Sequence, residues 1–454
     1  MTVTLAGTGM PWRWMRRATL LLGIALLAVG LTAGFLTTRW RSPTSTAARE
    51  SLLAVPRAGG TDVAATRAAA IVQLQDRLRA APGDRRSWAA LGSLYVEQAR
   101  VTADPTYYPR AEGAFRRSLA LGPEGNVEAL TGLGMLANAR HDFGAGLRWA
   151  ERARTVNPNR PEVYGVLGDA LVELGRYREG FAAIQRMVDL RPNLASYSRV
   201  SYTLELQGDV AGAARALEVA QAVASDPSDA AFAAFQLGEL RWNSGDLTGA
   251  ADSYVRATRL DPTYVPPQAA QARLHAAQGD TARAIAEYEA VVTRLPAPEY
   301  VTELGDLYTV AGRTADAARE ADLLRAEERL LRANGVNVDL EVSLYTADHH
   351  VDLARGLAAA WAEYRRRHSL FVADALAWQL HANGRDAEAL AHADEALRLG
   401  TGRALFHFHR AEIEKALGRL EAARADLQQA LLLNTHFSIL HAPEAVRELD
   451  APRG

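Results

Sequence analysis

Nine of the eleven histidines in this 454-residue chain lie beyond position 348: His349, His350, His368, His381, His392, His407, His409, His436 and His441. Imidazole nitrogens and carboxylate oxygens together form a donor set that divalent transition metals accept, so this skew is the first chemistry to weigh. His349 and His381, with Asp348, Asp374 and Glu412 near them in helical register, are the candidate ligands. The spacing is unfavourable. No two histidines stand at the i,i+4 separation of an H-E-x-x-H helix, and His407 and His409 point to different faces of theirs. Scattered helical histidines ordinarily sit on the surface or in packing, so no metal or other cofactor is expected. Binding or delivery of a divalent metal ion by the His-rich C-terminal stretch stands as the alternative function. Catalytic chemistry has less to stand on. There is no cysteine, no G-x-x-x-x-G-K-[ST] phosphate loop, no G-x-G-x-x-G between a strand and a helix, and no G-x-S-x-G elbow. No spacing isolates a carboxylate-histidine pair for acid-base work, and the chain is expected not to be an enzyme.

The elements that must position these residues are helical. Hydrophobic residues at 48% and charged residues at 23% are globular values, and a net charge of -2 provides no basic field for nucleic acid. The basic residues are almost all arginine, Lys415 being the single lysine, a bias that reads as a GC-rich genome. Ala18 to Thr38 runs 21 residues without a charge, flanked by Trp12, Trp14 and Trp40, as a membrane-spanning helix with interfacial aromatics would. The run is too long for the apolar core of a cleaved signal peptide, and the nearest small-x-small site, Ser45 to Ala47, lies well past its end. Arg13, Arg16 and Arg17 precede the span and Arg39, Arg41 and Arg49 follow it. The expectation is a single-pass cell-membrane protein with its N-terminus inside and its main domain extracytoplasmic.

Beyond the linker, similar blocks recur about every 34 residues. The clearest begins at Pro161: Tyr164, Leu167, Gly168 and Leu171 form one apolar stripe, and Gly175 breaks the chain. A second amphipathic helix carries Gly180, Ile184 and Met187, and Pro192 begins the next connection. Related units start near Arg85, Val127, Pro161, Leu194, Ala231, Val265, Pro298, Asn337, Leu370 and Ala404. In the first, Trp88, Leu91, Gly92, Tyr95, Ala111, Phe115 and Pro123 hold the pattern once about seven residues around Thr102 to Tyr108 are taken as an insertion. With its W-x2-L-G-x2-Y, A-x3-F and P positions, the sequence resembles the tetratricopeptide-repeat (TPR) family over about residues 85 to 437. The final block is similar to that of membrane-anchored actinobacterial TPR proteins of unassigned function. The resemblance implies an all-α fold: a right-handed superhelical solenoid of about ten helix-turn-helix repeats, preceded by one transmembrane helix.

The expected organisation is a short flank (1–17), the anchor (18–38), a Ser/Thr/Gly/Pro-rich linker (39–61) and an N-capping helix (62–84). A first lobe of about seven repeats (85–336) and a second of about three (337–437) follow, then a cap and tail (438–454). The lobes are divided where Thr314 to Asn334 reads as one extended helix. Stacked repeats line a concave surface with their first helices. On those helices the positions beside the packing Leu-Gly pair are aromatic (Tyr202, Phe232, Phe235, Trp242, Tyr345, Phe371, Trp378 and Phe408). Others are acidic (Glu162, Asp169, Glu173, Glu205, Glu239, Asp306, Glu341, Asp348, Asp374 and Glu412). A protein-binding groove is expected on Tyr202, Glu205, Phe235, Glu239, Trp242, Asp306, Tyr345, Asp374, Trp378 and Phe408. Its fit is to a protein or peptide with basic segments, aromatics supplying area and carboxylates pairing with cations. Packing between repeats is the competing account of the same side chains. Neither nucleic acid nor a small-molecule substrate is implied, and the role expected is that of a membrane-anchored scaffold or adaptor.

Overall fold

Short turns written as Gly-Asp or Gly-Arg set the architecture. The glycines at 175, 208, 245, 279, 312, 384 and 418 all adopt left-handed backbone with φ between 70 and 84°, closing one helix as a left-handed C′ residue does. The residue after each begins the next helix. Asp209, Asp246 and Asp280 accept backbone N–H bonds from Gly212, Gly249 and Arg283 at 2.8, 2.9 and 3.2 Å, which satisfies donors a helix start leaves free.

The computed structural model describes residues 63–450, and every regular element among them is helical. The expected anchor, its flank and the linker lie outside the described residues, and among the described residues no helix is long and apolar enough to cross a membrane. Helix α1 (Val63–Ala80) comes first, followed by ten helical pairs. The first three are α2 (Arg85–Thr102) with α3 (Tyr107–Leu121), α4 (Val127–Ala139) with α5 (Phe143–Val156), and α6 (Pro161–Glu173) with α7 (Tyr177–Leu190). The next four are α8 (Leu194–Leu206) with α9 (Val210–Ala222), α10 (Pro227–Asn243) with α11 (Leu247–Leu260), α12 (Pro266–Ala277) with α13 (Thr281–Arg294), and α14 (Pro298–Val310) with α15 (Thr314–Ala333). The last three are α16 (Asp339–Asp348) with α17 (Leu353–Arg366), α18 (Leu370–Ala382) with α19 (Asp386–Ala396), and α20 (Ala404–Ala416) with α21 (Leu420–Leu433); α22 (His441–Asp450) ends the described chain. Each pair closes over small residues. A methyl at Gly168 would sit 2.6 Å from Ile184 Cγ1, so α6 and α7 approach as closely as the missing side chain permits.

The second helix of each pair packs on the first helix of the next, from α3 on α4 to α13 on α14, and again from α17 on α18 to α19 on α20. This succession lapses once, because α15 does not pack along α16. The chain instead turns back and lays its last three pairs beside the earlier ones, rung by rung. Asn337 N–H donates to the Arg140 carbonyl at 2.9 Å, and His141 Nδ1 meets the Asn337 carbonyl at 2.8 Å. Leu370 N–H donates to Tyr177 Oη at 2.7 Å. Arg403 pairs with Glu205 at 3.0 Å, and Asn434 Nδ2 donates to the Trp242 carbonyl at 2.8 Å. The loops that open pairs eight, nine and ten, and the loop before α22, thus rest on the turns of pairs two, three, four and five. An apolar core runs through this seam: Tyr177, Val172, Ile184 and Leu206 from the early pairs pack with Leu370, Ala373, Ala396 and Phe406 from the late ones. Burying such side chains stabilises by about 1.5 to 3 kcal/mol each.

Candidate functional site

On the face made by the first helices, Glu239 of α10, Arg273 of α12 and Glu303 of α14 come together from three successive repeats. Arg273 Nη2 lies 2.5 Å from Glu239 and its Nη1 3.6 Å from Glu303, while the guanidinium sits 4.6 Å from the Trp242 ring centre. Tyr254 donates to Glu239 and Tyr288 to Glu303, each at 2.6 Å. Further along, His349 Nε2 reaches Asp306 at 3.1 Å and Tyr345 lies against the same imidazole at 4.3 Å. Burial raises the carboxyl pKa of Glu303 despite Arg273, and that of Asp306 despite His349. Glu299 is raised by burial and then by Glu341. Burial favours the neutral form of each of these carboxyls, and Arg273 and His349 offset it only in part. Pairs five to eight therefore present Glu239, Glu299, Glu303, Asp306 and Glu341 with the Arg273 guanidinium and the His349 imidazole among them.

A second feature lies where the late pairs meet the early ones. An open cavity of about 450 Å³ is walled by Phe143, Tyr202 and Phe371, with Glu173, Glu341 and the Asp169–Arg199 pair also on its lining. Arg199 grips Asp169 through two bonds of 2.7 Å, and Arg367 is ion-paired to both Glu173 and Glu363. Burial raises the Glu173 pKa against the pull of Arg367.

The ten residues expected to form one groove divide into three groups. Glu239, Asp306, Tyr345 and Phe235 lie on the first-helix face, Phe235 half-buried and edge-on to Tyr264. Tyr202 and Glu205 belong to the seam, Glu205 being engaged by Arg403 and Asn243. Trp242, Trp378, Phe408 and Asp374 are corrected to packing residues, with exposures of 5, 4, 0 and 2%. Trp242 is covered by Arg273. Trp378 stacks on His409 at 4.2 Å, and Phe408 meets both Phe437 and His441, so the C-terminal segment covers the surface these rings were expected to expose. The sequence held a warning: α18 reads LFVADALAWQLHA, without the polar stripe of a half-exposed helix, and a helix apolar on every side is a buried one.

The metal candidates also part company. His349 meets Asp306, His381 meets Asp386, Asp374 meets His409, Asp348 meets His441, and Glu412 meets Lys415. Among the described residues no group of three or more such side chains could hold a metal ion. His349, His381, His409 and His441 are each turned to a different carboxylate, so the candidates form separate pairs. Residues that sequence reasoning passed over are His141, which occupies with φ 59° the turn position that glycine fills in other pairs, and Arg367. Nothing in the periodic pattern marks either.

A family model described as Tetratricopeptide repeat matches residues 132–195, 202–265 and 269–329, and a second of the same description matches 404–436. No curated protein matches the chain. Among solved structures, a thermophilic TPR protein of Thermus thermophilus is 20% identical, with 41% of this chain and 98% of that one covered and a TM-score of 0.36. A tetratricopeptide repeat protein of Parabacteroides merdae is 16% identical, covering 53% and 97%, with a TM-score of 0.39. The APC/C hetero-tetramer Cut9–Hcn1 is 15% identical over 84% of this chain and 81% of its own, with a TM-score of 0.38.

Proposed function

Because the chain carries tetratricopeptide repeats, we propose that it is an interaction scaffold whose acid-rich first-helix face captures a basic segment of a partner protein. The observation that supports this is the charge ratio on that face, where Glu239, Glu299, Glu303, Asp306 and Glu341 stand with a single guanidinium, Arg273, bridging two of them. A lysine or arginine entering from a partner supplies what the chain itself does not, and charge complementarity of this kind steers encounter and fixes register. The work is presentation, not catalysis. In this proposal the uncharged run from Ala18 to Thr38 spans the cell membrane, with the repeats on the extracytoplasmic side. Confinement to the bilayer surface then raises the effective concentration seen by membrane partners.

The test is chemical crosslinking in native membranes followed by purification of the full-length protein, beside a variant carrying Glu299→Lys and Glu303→Gln that keeps its helicity. Partners rich in Lys and Arg are expected with the wild type and depleted at least about tenfold with the variant, an amount corresponding to one lost charge-assisted contact. Equal recovery by both proteins removes the acidic face from the account.

A further inference from the structure

The cavity between early and late pairs differs from the open first-helix face in having walls. Phe143 comes from α5, Tyr202 from α8 and Phe371 from α18, so three aromatic rings enclose the space from both sides of the seam. Its volume of about 450 Å³ falls in the range of about 300 to 1,000 Å³ usual for ligand pockets, which pair apolar walls with a few converging polar groups.

The polar groups here are unequally engaged. Arg199 is held bidentately by Asp169. Arg367 is divided between Glu173 and Glu363 and lies 4.8 Å from the Phe143 ring centre. Two carboxylates retain capacity. Glu173 has, besides Arg367, a Tyr202 hydroxyl at 3.5 Å, beyond a good hydrogen bond. Glu341 is half-exposed, and its nearest cationic candidate is His141 Nδ1 at 3.8 Å, a nitrogen already bonded to the Asn337 carbonyl. The lining therefore holds three carboxylates against two guanidiniums that are already paired, with aromatic faces beside them.

We propose that this cavity is an anchor site for one cationic group, a guanidinium or primary ammonium on an apolar stem, held between Glu173 and Glu341. The aromatic walls take the stem and the edge of the cation, as aromatic faces do for arginine and lysine. The site also has a direction. Glu341 lines the cavity and is close enough to Glu299 of α14 to act on it electrostatically, so a chain with one side chain anchored here has Glu299, and beyond it Glu303, as its next carboxylates. The anchor rests on the scaffold reading and specifies its partner: a segment with one deeply seated basic residue followed by further positive charge.

Calorimetry with the full-length protein in detergent tests it. The probes are acetyl-Gly-Gly-Arg-Gly-Gly-amide, the same peptide with neutral citrulline for arginine, and agmatine, a free alkylguanidinium. The arginine peptide is expected to bind at least about tenfold more tightly than the citrulline peptide, and Glu341→Gln to remove that advantage. Agmatine matching the peptide would support the site and make its source a free small cation; a peptide tighter than agmatine would support it as a partner's side chain. Equal binding of the arginine and citrulline peptides, or no binding by any probe, overturns the proposal on wild-type protein alone. Arginine-selective binding indifferent to Glu341→Gln overturns its location. Either failure with continued capture of basic partners in membranes removes the anchor and leaves the scaffold.

Discussion

His441 keeps its charge against burial. Desolvation opposes the imidazolium, but Asp348 at 3.1 Å and Glu444 at 3.5 Å outweigh it and hold the pKa above the usual histidine value. Asp348 is shifted the other way: burial raises it, yet His441, His409 and the Trp378 indole N–H bring it below the usual carboxylate value. A raised histidine contributes stability that is complete below its unfolded pKa, about 6.5, and lost as pH rises through the folded value. A depressed aspartate contributes stability above about 3.9 that is lost as pH falls through its folded value. The pair thus supports the C-terminal cap most between roughly pH 4 and 6.5. His436, which burial shifts down, has the opposite sign, so the readout is the difference between wild type and His441→Gln. Melting temperatures at pH 5.5 and 8 are expected to fall more across that interval in the wild type; parallel slopes would assign the stability elsewhere. Trp378 and Phe408 belong to the same network and were legible only as aromatics at helical spacing. What covers them is a segment from Phe437 to His441 that no repeat period announces.

At the scale of the helical pair the sequence was informative, because the constraints are local. Glycine in left-handed backbone, aspartate or arginine at the next helix start and a stripe of apolar residues mark each pair, and the pairs open within four residues of the positions the 34-residue period predicts. A second demand on some turns was invisible, since glycine already stood there for its backbone. At Gly208 an added methyl would lie 2.4 Å from the Gly400 carbonyl oxygen, whereas at Gly279, with φ 84°, it would meet nothing within 4 Å. Gly279→Ala is expected to cost about 1 kcal/mol, the strain of left-handed backbone alone. Gly208→Ala should cost about 2 to 4 kcal/mol, because the seam must also part. Urea unfolding of the two variants separates the terms; equal losses would show that the turn of pair four bears no weight from Gly400.

Across the whole molecule the seam joins residues 192 to 198 positions apart in its side-chain bonds. Repeat arrays are ordinarily stabilised by neighbour contacts alone and unfold piecemeal; here early and late pairs share a core and should open together. Tyr177→Phe removes the acceptor of the buried Leu370 N–H, a phenol whose own pKa burial pushes up to about 12. The expected cost is about 1 to 3 kcal/mol. Hydrogen exchange should quicken in both α6–α7 and α18–α19, and acceleration confined to α6–α7 would show the two halves to be independent. None of this could be read from periodicity, which describes what a unit does to its neighbour and not to one six units away.

The rungs also count. Solenoids commonly gain or lose units in the course of descent, since each new unit asks only for a neighbour like itself. In this chain the loop before pair eight must meet the turn of pair two, and the loops before pairs nine, ten and the cap must meet the turns of pairs three, four and five. Duplicating or deleting one unit among pairs five to seven would shift the returning run by a whole step. The freedom of length usual in repeat arrays is closed to it, and chains that keep this seam should vary in their loops, not in their number of repeats.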